Sequence, residues 1–450
     1  MACDRGGVGA ARDQDGRTLT FRLTHVLRCW LAGLAAFGCI VCVAACGSPA
    51  SQPTVVRFWA MGREGEVVAQ LVPEFERGHP GIQVVVQDLP WSAAHEKLLT
   101  AFAGDATPDA CQLGNTWVPE LVALHALEPL DARVKGSTAI ESGDYFSGIW
   151  DTNVIDGRLY GLPWYVDTRL LFYRRDLLAQ AGFDAPPRSW DDWQRMLAAI
   201  KAHAGPDRYG VLLPLNEFEP LLVLALQQPD PLLVDDGTRG NFESAGFKRT
   251  LAFYVGMFRR GYAPPLTNAE ISNVWNEFAR GYFVFYITGP WNIGEFKRRL
   301  PAALQQSWMT APLPGPDGPG ASIAGGSSLV LFARSRVKDA AWQWLEYLSR
   351  PEVQARFHEL TGDLPPRRTT WNQGALAADP YARAFRDQLE RVKPAPNVPE
   401  WERIATEMRL VAERAVDGRL TVDQAAAELD ARADRILEKR RSLLARRANP

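Results

Sequence analysis

Tryptophans, carboxylates and amides recur in this sequence beside the ends of apolar, strand-like runs. Trp59, Arg63, Glu64 and Glu66 end or follow "VVRFWA", and Asn115, Thr116 and Trp117 follow "PDACQLG". Tyr165, Asp167, Thr168 and Arg169 follow "RLYGLP", Trp291 and Asn292 follow "YFVFYI", and Gly325, Gly326 and Ser327 precede "LVLFA". Carboxylates and amides pair with hydroxyl groups, and Arg and Asp can each take two adjacent hydroxyls at once. A flat indole matches the weakly polar C–H face of a sugar ring. The set therefore suits a neutral saccharide, whereas a phosphate would call for a dense basic cluster. A glycosidase needs two carboxylates flanking the bond, and Glu64, Glu66 and Asp167 are candidates for that alternative. No GxSxG elbow is present, and "GGSS" at 325–328 is a poor substitute. Walker and GxGxxG phosphate loops are likewise missing from the sequence. The histidines are scattered with no HExxH or CxxC spacing, so neither a metal nor a cofactor is expected.

These residues need a scaffold. "VVRFWA", "IQVVVQDL" and "PDACQLG" read as strands. Between them lie helical patterns carrying Val68, Leu71, Val72 and Phe75, then Leu98, Leu99 and Phe102, the second capped by Ser92. The order β-α-β-α-β favours a parallel sheet with helices on its faces, which binds ligands at the carboxyl ends of its strands. Ser189 and Asp192 make a capping box for a helix with Trp193, Met196, Leu197 and Ile200 on its buried stripe. Phe247, Leu251, Tyr254 and Phe258 form another stripe, and Ala341, Trp344, Leu345 and Leu348 a third. Ser349 and Glu352 suggest a new cap. The region from Trp401 is helical, broken at Gly418 and recapped by Thr421 and Gln424. Trp190, Trp193, Trp342 and Trp344 read as structural, and Arg174 and Arg175 as solvent-facing.

At 450 residues the chain suffices for two domains of ordinary size. Its 50 basic and 52 acidic residues nearly cancel, which argues against a nucleic-acid binder. Arg22, His25 and Arg28 precede "WLAGLAAFGCIVCVAAC", a positive segment, a short apolar run and small residues that together describe an export signal. Residues 1–45 are taken as this signal and 46–53 as a polar tether. Cys3, Cys29, Cys39 and Cys42 leave with the signal and Cys46 opens the tether, so Cys111 is the one cysteine expected in the folded domain, without a disulfide partner.

Several stretches together resemble an extracellular solute-binding protein of the sugar-importing ABC transporters, family 1. They are "LVPEFERGHPGIQVVV", "TPDACQLGNTW", "GRLYGLPWYVDTRLLFYRRDLLAQAG", "PPRSWDDW", "FARGYFVFYITGPWNI", "GGSSLVLFARSRVKDAAWQWLEYLSRPEVQ" and "GDLPPRRT". Val43-Ala44-Ala45-Cys46 resembles a bacterial lipoprotein box, which implies a lipid on Cys46 and a place outside the cytoplasm, anchored to a membrane. The family resemblance, over 54–440, implies a periplasmic-binding-protein-like α/β fold, with two lobes, a hinge and an interlobe ligand cleft. Lobe one is expected over 54–163 and 311–361, lobe two over 164–310 and 362–450. It also implies a monomer that performs no covalent chemistry and hands a saccharide to membrane permease subunits driven by a separate ATPase. Carried over residue by residue, Trp59, Glu66 and, as a weaker choice, Glu64 fall in the first ligand loop, Asn115 and Trp117 in the second. Tyr165 and Asp167 sit where maltose- or trehalose-type members place an aromatic and a carboxylate. Trp291 matches the stacking aromatic, Gly325 and Gly326 a loop offering backbone amides, and Arg367 the arginine of "LPxR". Some disaccharide binders have a tryptophan straight after the double glycine, where Ser327 stands here. Three of these residues also have a structural alternative: strand-end core for Trp59, helix packing for Trp117, a hinge salt bridge for Arg367. A binder of glycerol phosphodiesters, using Arg63 and Arg367, and a surface adhesin are the remaining alternatives.

Overall fold

The computed structural model describes residues 52–448; the signal segment and Cys46 lie outside them. The strands form in chain order as β1 (Thr54–Met61), β2 (Ile82–Leu89), β3 (Ala110–Gly114), β4 (Gly161–Val166), β5 (Leu170–Arg174), β6 (Tyr209–Leu212), β7 (Phe283–Thr288), β8 (Trp308–Ala311) and β9 (Gly326–Leu331). They build a five-stranded sheet of order β2-β1-β3-β9-β4 and a four-stranded sheet of order β8-β5-β7-β6. Each sheet is the centre of an α/β lobe.

β1 pairs parallel with β2 and β3, as the alternation of strand and helix implied. β9 departs from this, running antiparallel to both β3 and β4. The reason lies in where the chain comes from. β9 returns from the second sheet and enters the first at the end where β3 and β4 stop, with Ser327 opposite Gly114 and Gly326 opposite Val166. In the second sheet β5 is antiparallel to both neighbours, and β7 runs parallel to β6.

The sheets fix the passages between lobes. The first sheet holds the chain through Val166, past the expected boundary at 163, and β8, ending at Ala311, belongs to the second. The chain crosses between Val166 and Leu170, returns between Ala311 and Gly326, and passes again near Leu364, which bridges Val166.

Helices cover the faces as their stripes demand. Phe58, Trp164, Leu329 and Trp344 share the first core, and Trp193, Tyr254, Phe285 and Trp401 the second. Trp190 and Trp342 are also buried. The Ser189 side chain accepts from the Asp192 amide, and Thr421 with Gln424 closes a full capping box. Two expected caps do not form. Pro90 occupies the cap position of the helix Trp91–Ala103, leaving Ser92 inside its exposed first turn. Ser349 instead donates to the Leu345 carbonyl, and Pro351 opens the next helix, the position where a missing N–H costs nothing. Arg174 is buried rather than solvent-facing. It donates to the Phe278 and Ala279 carbonyls, left open at a helix C-terminus, and to Asp176. Cys111 is buried and free. Among the described residues no helix is long and apolar enough to cross a membrane.

Candidate functional site

A cavity of about 550 Å³ opens between the two lobes at the ends of β3 and β4. Its walls include Glu64, Asn115, Trp117, Tyr165, Asp167, Trp291, Gly325 and Gly326, eight of the eleven residues singled out for a ligand from the sequence. Trp59, Glu66 and Arg367 lie elsewhere. β1 runs on to Met61, so Trp59 is inside the strand rather than at its end. Its ring packs against the buried cluster that includes Met61, Leu89 and Leu98, with the Lys97 ammonium 5.1 Å from its centre. Glu66 is exposed and pairs with Arg63 at 3.1 Å, while Glu64, the weaker choice, turns into the cavity. Arg367 is buried in an ion pair with Asp144 and also donates to the Ala139 and Ser349 carbonyls. These bonds tie the hinge segment to the first lobe.

The floor is held by a buried hydrogen-bond chain. Gln112 accepts from the Met61 amide at 2.7 Å and donates to the Tyr165 hydroxyl at 3.0 Å. Ser327 donates to the same hydroxyl at 3.0 Å. Asn115 donates to the Ala324 carbonyl and accepts from Ser328, which joins β3 to the return strand. The double glycine allows two hinge passages to touch. A Cβ on Gly325 would stand 2.2 Å from the Asp167 carbonyl oxygen, and one on Gly326 2.2 Å from that of Tyr165. Gly326 also has φ of +136°, a conformation that side chains disfavour.

On the second lobe, Pro290 is followed by Trp291, the first residue of the helix Trp291–Arg299. Its ring folds back over Gly289, where a Cβ would lie 1.8 Å from the indole. The Arg169 guanidinium stands 4.5 Å from the ring centre and is itself held by Asp167 at 2.6 Å and Glu219 at 3.2 Å. One face of the indole is thus backed by a fixed cation, an arrangement that also adds cation–π attraction.

Five carboxylates (Glu64, Asp167, Glu219, Asp363 and Glu402) and two arginines (Arg63 and Arg169) line the cavity. Burial raises the pKa of Glu64, against hydrogen bonds, Trp91's among them, that favour its charged form. Burial raises Asp363 well above the ordinary carboxylate range, and the adjacent Glu64 charge adds to the rise. Glu64 Oε2 and Asp363 Oδ2 are buried without a hydrogen-bond partner. Two such carboxyls favour holding one proton between them. Asp167 is also raised by burial, with Arg169 opposing. Glu402, on the second lobe's helix Trp401–Val416, is raised by burial, which the nearby Thr116 side chain of the first lobe opposes. Among the described residues no group of three or more His, Cys, Asp or Glu is placed to hold a metal ion.

Trp91, Glu219, Asp363 and Glu402 were not foreseen, and Arg63 and Arg169 were noticed without being singled out as ligand residues for a sugar. Trp91 had a usable signal, since it comes two residues after β2 ends at Leu89. Glu219 opens the first helix after β6, a strand not foreseen from the sequence, whereas Asp363 and Glu402 follow no strand of either sheet, so nothing in their local sequence pointed to the cavity.

Residues 61–355 match the family described as bacterial extracellular solute-binding protein. The chain is 58% identical to the sugar-binding protein MalE of the phytopathogen Xanthomonas citri. Its structure superposes with a TM-score of 0.85 over 87% of this chain and 99% of that one. A binding protein of Brucella abortus is 27% identical over 420 residues, 92% of this chain and all of the relative. The diacetylchitobiose binding protein DasA of Streptomyces coelicolor is 24% identical over 390 residues, 82% of this chain and 89% of the relative. The fold is periplasmic-binding-protein-like, and the chain belongs to the bacterial extracellular solute-binding proteins.

Proposed function

We propose that this member of the bacterial extracellular solute-binding proteins is the capture component of an ABC importer for a disaccharide or short oligosaccharide. A maltose- or trehalose-like α-glucoside is the first candidate. The observation that carries the reading is the pairing of exposed indole with acceptor-rich wall: Trp291 offers a flat face while Glu64, Asp167 and Asp363 offer oxygens to hydroxyls. The 58% identity to a sugar-binding protein supports the same ligand class. In this reading the lobes close on the sugar by hinge movement, and the loaded protein passes it, without covalent chemistry, to permease subunits served by a separate ATPase. It acts as a monomer, and a lipid on Cys46 keeps it at a membrane outside the cytoplasm.

A phosphodiester ligand is disfavoured on charge. Arg63 already faces Glu66, Arg367 is committed to Asp144, and five carboxylates surround the remaining space. The test is calorimetry with maltose, maltotriose, trehalose and related α-glucosides. Saturable heat with at least one sugar is expected, and silence across the panel overturns the sugar assignment. Release of glucose from the same panel would restore the glycosidase alternative.

A further inference from the structure

Among the described residues only two tryptophans are exposed, Trp91 at 37% and Trp291 at 39%, and both line the interlobe cavity. They stand on different lobes: Trp91 opens the helix after β2, Trp291 the helix after β7. Exposing an indole to water forfeits roughly 25 cal/mol for each Å² left uncovered, so a ligand that covers one gains that amount. The Trp91 ring is also held still. Trp117 meets it edge-on, with centres 5.6 Å apart and planes at 64°. Gly62 lies against its other edge, where a Cβ would stand 2.8 Å from Cδ1 and 2.9 Å from Nε1. A face fixed in advance loses little freedom on binding.

Ser327 explains why a second face is needed. Its hydroxyl is engaged with Tyr165, so the position after the double glycine supplies no ring to the cavity. Resting on the saccharide reading above, we propose that Trp91 is a specificity-determining residue. Its indole is the cleft's second stacking face, carried by the opposite lobe from Trp291, and it selects ligands of two or more linked pyranose rings. A single ring seated on Trp291 leaves Trp91 bare, whereas a longer ligand covers both.

Titration calorimetry of the wild type, Trp91→Phe, Trp91→Leu and Trp291→Ala with maltose, trehalose and maltotriose tests this, alongside melting of each ligand-free protein. Leu fills space against Gly62 without a flat face, and Phe keeps the face. The expected result is that Trp91→Phe binds the tightest of these sugars within about threefold of wild type, and Trp91→Leu at least tenfold more weakly, with similar ligand-free melting. Equal affinities for Trp91→Phe and Trp91→Leu, or a Trp91→Leu loss matched by an equal loss in Trp91→Phe, overturn the proposal while leaving sugar capture intact. A wild type that binds none of the sugars overturns the saccharide reading and this proposal with it.

Discussion

The Arg367 guanidinium donates to the Asp144 carboxylate across 2.7 Å, with only 6% and 7% of the two side chains exposed. Thr369 donates to the same carboxylate through its amide and its hydroxyl. Removing one partner of such a pair leaves the other charge buried and uncompensated, at a cost of about 3–5 kcal/mol. Arg367→Ala is therefore expected to lower the free energy of unfolding by about that amount in urea titration. Sugar affinity measured well below the melting point should stay within about threefold. A variant of wild-type stability that has lost binding would return Arg367 to the ligand.

The same pair gives an acid signature. Burial alone would raise the Asp144 pKa, but hydrogen bonds from Thr369 and Arg367 outweigh it and hold the group below the ordinary value. Its contribution is thus fully present above the unfolded carboxyl value, near 4, and is lost as pH falls through the lower folded value. Between pH 5 and pH 3 the wild type should lose more stability than Asp144→Asn. Parallel stability curves for the two proteins would show that the pair does not titrate in this way.

Gly289 and Trp291 should behave as one unit. An alanine at 289 would place its Cβ 1.8 Å from the indole, so the ring must leave its seat over the backbone. Trp291→Ala should weaken sugar binding at least tenfold with little change in melting, because the ring is substantially exposed. Gly289→Ala should weaken it several-fold in the wild type and have little further effect in Trp291→Ala. Additive losses in the double variant would show that Gly289 acts on something other than the ring.

Asp363 has the opposite linkage to Asp144. Its raised pKa means that folding disfavours the charged form, so stability falls as pH rises from near 4 through the raised value. Asp363→Asn removes that penalty. It is expected to be about 1 kcal/mol or more stabler than wild type at pH 7.5, with the difference shrinking toward pH 4. A difference that does not vary with pH would remove the charge explanation.

The strand ends pointed to most of the cavity because side chains at or just beyond them face the space between lobes, as Tyr165 near the end of β4 and Asn115, Trp117 and Asp167 past the ends of β3 and β4 do. The same rule misplaced Trp59, because the apolar run does not reveal that pairing with β2 continues to Met61. It could not reach Asp363 or Glu402, which arrive through long-range packing. Helix starts were legible where a side chain caps, at Ser189 and Thr421, and illegible where a proline sets the start, at Trp91 and Pro351. The parallel part of the first sheet was readable from local order. The reversed strand β9 was not, since its direction depends on a chain that has already visited the other lobe.

That reversed strand constrains the order of folding during synthesis. β9 sits between β3 and β4, yet it is made after the entire second sheet. A growing chain that ends before Gly326 leaves β3 and β4 with open edges facing each other across a missing neighbour. Such pairings close late because the loop between partners is long, and open edges invite association with other chains. The first lobe thus cannot finish until the second has been synthesised, and a truncated product should be a target for chaperones and proteases rather than a half-sized binding domain.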